Sequence, residues 1–274
     1  MKLVQLVVWL TFVVYCTCES DHSTISTHLK TDGKCYKQET CEDSNVVMEE
    51  QQSTHKGESK LSTSLAVVIY DETKVLPHEM PTRKFIIADH EFIINQNWQG
   101  LGVAAVVWDS AVVLAEYLDK HRNLVEHKRV LELGAGSGLT GLVAAALGAE
   151  VILTERASAL DHLTAAIDAN SLNKSWKISA RVLDWTEDVD PRGFDELDLI
   201  LGADIIYIEE TFQDLLRTLK SLTPSNKILT LLSCKIRYDR DLRFLKMLEK
   251  EFDVNEIHED SDKQIKVIAI RRKL

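Results

Sequence analysis

The apolar positions of this 274-residue chain follow two different patterns, which meet near residue 81. Residues 19–80 are rich in Ser, Thr, Lys, Glu and Asp and show almost no apolar periodicity, apart from a short strand candidate at residues 65–70. That composition predicts a low-complexity polar linker that is disordered. From residue 81 to residue 274 the apolar positions become regular, which predicts one folded domain.

Strand and helix patterns alternate along this domain. The predicted strands are residues 85–87, 91–94, 129–133, 150–154, 177–183, 197–203, 227–234, 252–258 and 264–270. The predicted helices are residues 109–121, 139–147, 157–170, 209–222 and 239–250. After an initial hairpin, this pattern predicts an α/β, Rossmann-like fold, in which helices cover both faces of a mostly parallel seven-stranded sheet. The last two strands form a second predicted hairpin, which places one antiparallel strand at an edge of the sheet.

The strongest chemical signal lies where the first core strand ends. Residues 130–133 run directly into residues 134–138, whose sequence is Gly-Ala-Gly-Ser-Gly, and a helix follows. Glycines permit a tight turn and a close approach of the backbone to a ligand, while the helix presents free amide groups. Glu155 ends the next strand about 20 residues later, where a carboxylate can accept both hydroxyls of a ribose. These features predict a nucleoside-type ligand.

The glycine segment alone fits two cofactor classes. The spacing Gly136-x-Gly138-x-x-Gly141 also matches the dinucleotide fingerprint, so a nicotinamide-dependent oxidoreductase stays open. Two acidic features favour S-adenosyl-L-methionine instead. Glu132 lies in the strand before the glycines, where methyltransferases commonly carry an acidic residue. Asp184-Trp185 follows the third core strand, where a carboxylate can meet the adenine amino group while an aromatic ring lines the base.

Together with the segment 202–207, these motifs resemble those of the seven-strand protein-lysine methyltransferases that carry an Asp-x-x-Tyr motif (methyltransferase family 16, methyltransferase-like 21 group). The likeness covers roughly residues 84–270. Its longest matching stretches are residues 96–98, 103–109, 131–138, 199–207, 209–212 and 237–238. The resemblance implies the seven-stranded methyltransferase sheet and S-adenosyl-L-methionine as the cofactor and methyl donor.

The resemblance also implies which residues form the site. It places the donor against Trp108, Gly134, Ala135, Gly136, Glu155, Trp185 and Ala203. Asp204 and Tyr207 are expected at the target lysine, as the catalytic pair. The Asp204 carboxylate can accept a hydrogen bond from the lysine amine, and Tyr207 can pack against the lysine stem. A plainer interpretation makes Asp204 the N-cap of the helix that follows, and Tyr207 and Trp108 ordinary packing residues.

Within this group the chain most resembles the enzymes that methylate heat-shock chaperones of the seventy-kilodalton class. Enzymes that act on an AAA-type ATPase chaperone share several of the motifs. The resemblance therefore implies a chaperone-type protein substrate. A non-catalytic donor-binding module is less favoured, because Asp204 and Tyr207 are both intact. A nucleic-acid substrate is disfavoured by the formal net charge of -11 and the lack of a basic stripe. A monomer without a metal site is expected.

The first 18 residues carry a separate signal. A basic start, a short apolar run and the small-residue segment Cys16–Cys18 predict a secretory signal peptide or a hydrophobic anchor. The run is shorter than the roughly 20 residues that a membrane-spanning helix needs. The family resemblance implies a cytoplasmic protein, whereas this segment leaves the endoplasmic reticulum or a membrane open, with membrane contact through residues 1–18. Asn173 begins a possible glycosylation sequon.

Overall fold

The computed structural model describes residues 26–31, 34–39, 46–48, 67–69, 76–171, 174–194 and 196–273. The chain forms two compact units, Met1–Lys74 and Val75–Leu274. In the first unit, Ser26–Thr31 pairs with Lys34–Glu39, and Val46–Met48 pairs with Val67–Ile69, both antiparallel. The predicted signal segment 1–18 and the sequon at Asn173 lie outside the described residues. The disorder expected for residues 19–80 stays a prediction.

The second unit contains nine strands and five longer helices in the described residues. The strands are β1 (Thr82–Ile87), β2 (His90–Asn95), β3 (Arg129–Glu132), β4 (Glu150–Glu155), β5 (Lys177–Val182), β6 (Leu199–Ala203), β7 (Leu229–Lys235), β8 (Phe252–Asp260) and β9 (Ile265–Arg272). The helices are α1 (Asp109–Lys120), α2 (Leu139–Ala146), α3 (Leu160–Ser171), α4 (Phe212–Leu222) and α5 (Asp239–Glu251). Strands β1 and β2 form the predicted antiparallel hairpin.

The other seven strands form one sheet with the order β8-β9-β7-β6-β3-β4-β5. Strand β9 runs antiparallel to both of its neighbours, and the other pairs in the sheet are parallel. The predicted Rossmann-like sheet with one antiparallel strand is therefore confirmed. Its expected place at the edge is wrong, because β9 lies between β7 and β8. Apolar β9 is buried along most of its length, while polar β8 is largely exposed and takes the edge.

Two apolar layers hold the helices on the two faces of the sheet. In β3, Val130 faces the layer that contains α1, α2 and α3, whereas Leu131 faces the layer that contains α4 and α5. This alternation is the period-two pattern of a strand that is buried on both faces. The helix predicted at residues 209–222 is observed as α4, which buries Phe212, Leu215 and Leu219 against the sheet.

The strand order reverses between β3 and β6. The chain proceeds from β3 towards β4 and β5 on one side, and from β6 towards β7 on the other. In open α/β sheets, ligands bind at such a switch point, beyond the carboxyl ends of the strands. Residues that follow these strand ends are therefore brought together, although they are far apart in the sequence.

The connection between β2 and α1 is held by one side chain. The Gln96 amide donates to the carbonyls of Pro77 (2.8 Å) and Met80 (2.7 Å) and accepts from the Val107 N–H (2.8 Å). These bonds fix the segment that leads to Trp108.

Within the described residues, no single helix has the length and apolarity to cross a membrane, although the bent pair Trp98–Ala105 and Asp109–Lys120 meets that test together.

Candidate active site

A cavity of about 330 Å³ opens at the carboxyl ends of the parallel strands. It is lined by all nine residues predicted for the donor and lysine sites: Trp108, Gly134, Ala135, Gly136, Glu155, Trp185, Ala203, Asp204 and Tyr207. Asp184, noted in the sequence as an adenine partner, also lines it. Arg156 and Arg237 line it as well; neither was predicted as a site residue, although residues 237–238 are among the stretches that resemble the family. The structure thus brings every predicted site residue into one place.

The loop after β3 forms a cradle with little room for side chains. Gly134 has φ of 59°, in the left-handed region that L-residues rarely adopt. A Cβ there would lie 3.0 Å from Ile205 and 3.1 Å from the ring of Trp185. Two strands on, the Trp185 indole therefore closes over the loop. The close approach leaves the backbone of the loop facing the cavity.

Glu155 is held against this cradle. Its side chain is buried, and its two carboxylate oxygens accept hydrogen bonds from the N–H groups of Gly136 (3.1 Å) and Arg156 (2.9 Å). An ionised carboxylate has about four acceptor positions. Acceptor capacity therefore remains on Glu155 at the edge of the cavity, as binding of ribose hydroxyls requires.

The third glycine of the dinucleotide fingerprint has a packing role. A Cβ at Gly141 would overlap the Leu153 side chain and lie 2.7 Å from Oε2 of Glu132. The same Glu132 oxygen accepts a hydrogen bond from the Gly141 N–H (2.9 Å). Burial raises the pKa of Glu132 to about 8, against the opposing effect of its hydrogen bonds to Gly141 and Thr140. Glu132 thus joins α2 to β3 behind the loop and does not line the cavity.

The turn after β5 is fixed from both sides. Asp184 Oδ1 accepts hydrogen bonds from the N–H (2.9 Å) and hydroxyl (2.7 Å) of Thr186. Arg217 of α4 donates to the carbonyls of Trp185 and Glu187, both at 3.1 Å. Arg217 was not predicted, since a lone arginine on an exposed helix face carries no signal of such a contact. Together these bonds hold Trp185 in the wall of the cavity.

Trp108 stands at the N-terminal end of α1 and forms another wall. Its indole Nε1 donates to the Val103 carbonyl (3.1 Å). Its ring contacts Trp98 edge-on and stacks with His78, with ring centroids 6.4 Å apart in both pairs. Trp108 therefore does both things that the sequence suggested: it packs against its neighbours and it lines the cavity.

Asp204 follows β6 with its carboxylate almost removed from water. The side chain is 7 % exposed, and its two oxygens receive a bidentate pair from Arg237, at 2.9 Å each. The backbone has φ of 55°, and its N–H donates to the Ser233 carbonyl of β7 (2.8 Å). The N-cap interpretation of Asp204 is wrong, because α4 begins at Phe212 with Thr211 as its N-cap.

Tyr207 lies near Asp204 in the same cavity wall. The residue is partly buried, and this burial raises the pKa of its phenol above the ordinary value. The nearby Arg156 charge opposes the shift, while Glu155 and Asp204 add to it. The phenol therefore stays neutral at physiological pH. A neutral ring beside a nearly buried carboxylate can accommodate an aliphatic chain that ends in an amine.

The fold and this site define an S-adenosylmethionine-dependent methyltransferase. The donor fits the residues present: a cradle that a Cβ would fill, a carboxylate at the next strand end and indole walls. The lysine methyltransferase family matches residues 86–251, and the chain belongs to this family. The predicted enzyme class, a protein-lysine N-methyltransferase, and the predicted cofactor are confirmed, and the nicotinamide alternative is set aside.

Known proteins resemble the chain over most of its length. Protein N-lysine methyltransferase METTL21A of Danio rerio is 46% identical over 217 residues, which cover 76% of this chain and 98% of that protein. METTL21A of Mus musculus is 42% identical over 213 residues (76% and 97%). EEF1A lysine methyltransferase 3 of Mus musculus is 33% identical over 194 residues (69% and 82%).

Solved structures share the fold. The 16S rRNA N2 G1207 methyltransferase RsmC of T. thermophilus, in complex with AdoMet and guanosine, superposes with a TM-score of 0.54. Sequence identity is 21%, and the match covers 70% of this chain and 50% of that one. The shared feature is the methyltransferase sheet.

Proposed function

We propose that this enzyme methylates a lysine of a chaperone-type protein, with a heat-shock chaperone favoured and an AAA ATPase chaperone next. The proposal rests on one observation: Asp204 and Tyr207 line the same cavity as the glycine loop Gly134–Gly136. The choice of a chaperone is supported by the long stretches that resemble the heat-shock chaperone enzymes, among them residues 96–98 and 209–212.

The donor site is proposed to use the backbone more than side-chain charge. Gly134, Ala135 and Gly136 present the cradle, Glu155 accepts the ribose hydroxyls, and Trp185 covers the adenine. Trp108 and Ala203 complete the walls. When bound, S-adenosylmethionine would supply a methyl group on a positively charged sulfur. A neutral lysine amine would attack the methyl carbon in line, the sulfur would leave as the neutral thioether of S-adenosylhomocysteine, and the methylated ammonium would release its proton to solvent.

The lysine site has to present the neutral amine. A free lysine has a pKa of about 10.4 and is almost fully protonated at neutral pH. Removal from water disfavours the charged form and lowers that pKa. Asp204 accepts a hydrogen bond from the amine and turns its lone pair towards the methyl group, and Tyr207 packs along the aliphatic stem. Orientation of this kind replaces a chance encounter by a fixed approach.

A methylation panel tests the substrate. Purified enzyme and labelled S-adenosylmethionine are incubated with a seventy-kilodalton heat-shock chaperone, an AAA-type ATPase chaperone, elongation factor 1A and total RNA. We expect label on the heat-shock chaperone, at a lysine located by mass spectrometry, and loss of the label with Asp204→Ala. Elongation factor 1A is included because the chain is similar to EEF1A lysine methyltransferase 3. Label on elongation factor 1A alone would reject the chaperone substrate. Label on RNA would reject a protein-only enzyme.

We also propose that the enzyme is a cytoplasmic monomer. The cytoplasmic address follows from the resemblance, and the segment 1–18 supports the endoplasmic reticulum or a membrane as the alternative. Mass spectrometry of the mature N-terminus separates a cleaved form, which begins near residue 19, from a form that retains residues 1–18. Membrane fractionation then separates a retained anchor from a cytoplasmic protein. Light scattering on the purified protein measures the mass and tests the monomer.

A further inference from the structure

The ion pair between Asp204 and Arg237 joins two residues that are 33 positions apart in the sequence. We propose that Arg237 is a positioning residue, which makes Asp204 a hydrogen-bond acceptor for a neutral lysine amine instead of an ion-pair partner for lysine ammonium. The inference rests on the lysine methyltransferase activity and applies to any protein substrate.

The geometry allows Arg237 and a lysine to use the carboxylate together. Nη1 donates to Oδ1 and Nη2 to Oδ2, both at 2.9 Å, in the parallel fork that arginine forms with carboxylates. The fork takes one lone pair from each oxygen and leaves the others available. The Arg237 side chain is 37 % exposed against 7 % for Asp204, and both residues line the cavity that is open to a lysine.

Both partners are anchored by the backbone. Asp204 N–H donates to Ser233 in β7, as described above. The Arg237 N–H donates to Oδ2 of Asp241 (2.8 Å), a buried side chain in the first turn of α5. The Tyr238 N–H donates to the same oxygen (3.0 Å). The carboxylate and the guanidinium are therefore fixed by neighbouring elements, and the pair is pre-organised.

The other charged groups around the pair largely cancel or stay neutral. At the end of β4, Arg156 faces Glu155 at 3.7 Å. Behind Arg237, Asp241 faces Arg240 at 3.7 Å. Burial raises the pKa of Cys234 to about 12 and that of Tyr207 above its ordinary value, so both stay uncharged. On β9, Lys266 is paired with Glu256 (2.6 Å) and Glu259 (3.8 Å), and Asp184 in the cavity wall adds one negative charge. The local charge at Asp204 thus depends mainly on Arg237.

That charge decides which form of lysine is bound. A carboxylate without a counter-charge stabilises a nearby ammonium and raises its pKa. The lysine would bind well and remain protonated, without the lone pair that methyl transfer needs. With Arg237 in place the pair carries no net charge, so protonated lysine gains less from Asp204. A neutral amine can still donate one N–H to the free lone pair.

The test is the pH dependence of Arg237→Gln. Single-turnover methylation of a seventy-kilodalton heat-shock chaperone is followed at saturating donor from about pH 6.5 to about pH 10.5. We expect the midpoint at which the rate rises to move up by about one pH unit or more, and the rate near neutral pH to fall about tenfold or more. KM for the chaperone stays the same or falls, since protonated lysine binds Asp204 more strongly.

Two matched variants separate charge from structure. Arg237→Lys keeps the charge and loses the fork, so its midpoint should stay near the wild-type value while the rate falls. Arg243→Gln removes an arginine of α5 that pairs with Glu209 (2.6 Å) and does not line the cavity, and it should behave as wild type. An equal loss of rate at every pH in Arg237→Gln would overturn the proposal. A midpoint shift in Arg237→Lys as large as in Arg237→Gln would do the same.

A second readout needs no substrate. Denaturant unfolding of Asp204→Asn, Arg237→Gln and the double variant gives the coupling between the two side chains. Each single change leaves one charge without its partner, so we expect the double variant to lose less stability than the sum of the single losses. Additive losses contradict the pair. If the wild type labels no chaperone, the substrate proposal fails, and the pH series is run on whichever protein of the panel is labelled.

Discussion

Asp204 combines a chemical requirement with a conformational one. Its φ of 55° lies in the left-handed region, which Asp and Asn tolerate better than other residues with a Cβ. Its carboxylate meets Arg237, and its N–H meets β7. Substitution by Asn therefore keeps the backbone preference and removes the charge, whereas substitution by Ala removes both.

We expect Asp204→Asn and Asp204→Ala to lower the rate of methyl transfer by about 100-fold or more, because neither side chain can act as the carboxylate acceptor. Only Asp204→Ala also strains the left-handed backbone, so its free energy of unfolding should be lower than that of Asp204→Asn by about 1 kcal/mol. Chemical denaturation and single-turnover kinetics measure the two effects. An Asn variant with wild-type rates would show that the charge is dispensable.

Glu132 gives the stability of the domain a defined pH dependence. Burial raises its pKa from the ordinary value of 4.5 to about 8. The folded state therefore holds a proton that the unfolded state releases, and stability is full below pH 4.5 and falls as the pH rises towards about 8. Glu132→Gln keeps an oxygen to accept from Gly141 and removes the titration.

Relative to Glu132→Gln, the wild type should lose up to about 1.4 kcal/mol of unfolding free energy for each pH unit in that window. Urea denaturation of both proteins at several pH values measures the difference. A difference that does not change with pH would mean that Glu132 is ionised in the folded protein throughout.

Arg237 shows which part of the site could not be predicted from the local sequence. The ends of β3, β4 and β6 were predictable, because apolar runs stop at glycines or acidic residues. The glycine loop, Glu155 and Asp204 were therefore expected at neighbouring strand ends, where the structure has them. Arg237 follows β7, and no pattern in the sequence indicates that its guanidinium pairs with the carboxylate of Asp204, 33 residues earlier. Pairing between elements depends on side-chain direction, which the spacing of apolar residues does not encode.

At the scale of the element, the two terminal strands show a similar limit. Alternation of apolar residues predicted both β8 and β9, and the polar turn predicted their hairpin. A hairpin can add to a sheet through either of its strands. Strand β9 pairs with β7 because its residues Ile265, Val267 and Ile270 are buried. Strand β8 exposes most of its side chains and takes the edge of the sheet. The position of β8 and β9 in the sheet therefore depends on which of the two strands has more apolar side chains to bury. The periodicity within each strand does not determine it.

The packing of α2 on β4 leads to a prediction for Gly141. A methyl group there would overlap Leu153 and approach Glu132, and overpacking of a tight core typically costs about 1–3 kcal/mol. We expect Gly141→Ala to lower the free energy of unfolding by that amount. Gly193→Ala is the matched control, since a Cβ at Gly193 meets nothing within 4 Å. Thermal or urea unfolding measures the loss of stability in each variant. An equal loss in Gly141→Ala and Gly193→Ala would mean that α2 accommodates the extra methyl group without cost.

For the whole molecule, the division at residue 75 predicts where activity resides. The residues that line the cavity fall between Val103 and Arg237, within the unit Val75–Leu274. A chain that begins at Val75 should therefore bind S-adenosylmethionine with an affinity within about twofold of the full chain, because folding units keep their own core. Isothermal calorimetry on both chains measures it. A loss of about tenfold or more would show that residues before Val75 contribute to the site.

The indole walls of the cavity also make the enzyme its own optical probe. Two of the five tryptophans, Trp108 and Trp185, line the cavity, and Trp98 touches Trp108. Trp176 stacks on Phe92 in the hairpin, away from it. Indole emission responds to the polarity and stacking of its surroundings, so occupation of the cavity changes the intrinsic fluorescence of the protein. Donor binding and product release can therefore be timed in a stopped-flow instrument without a label.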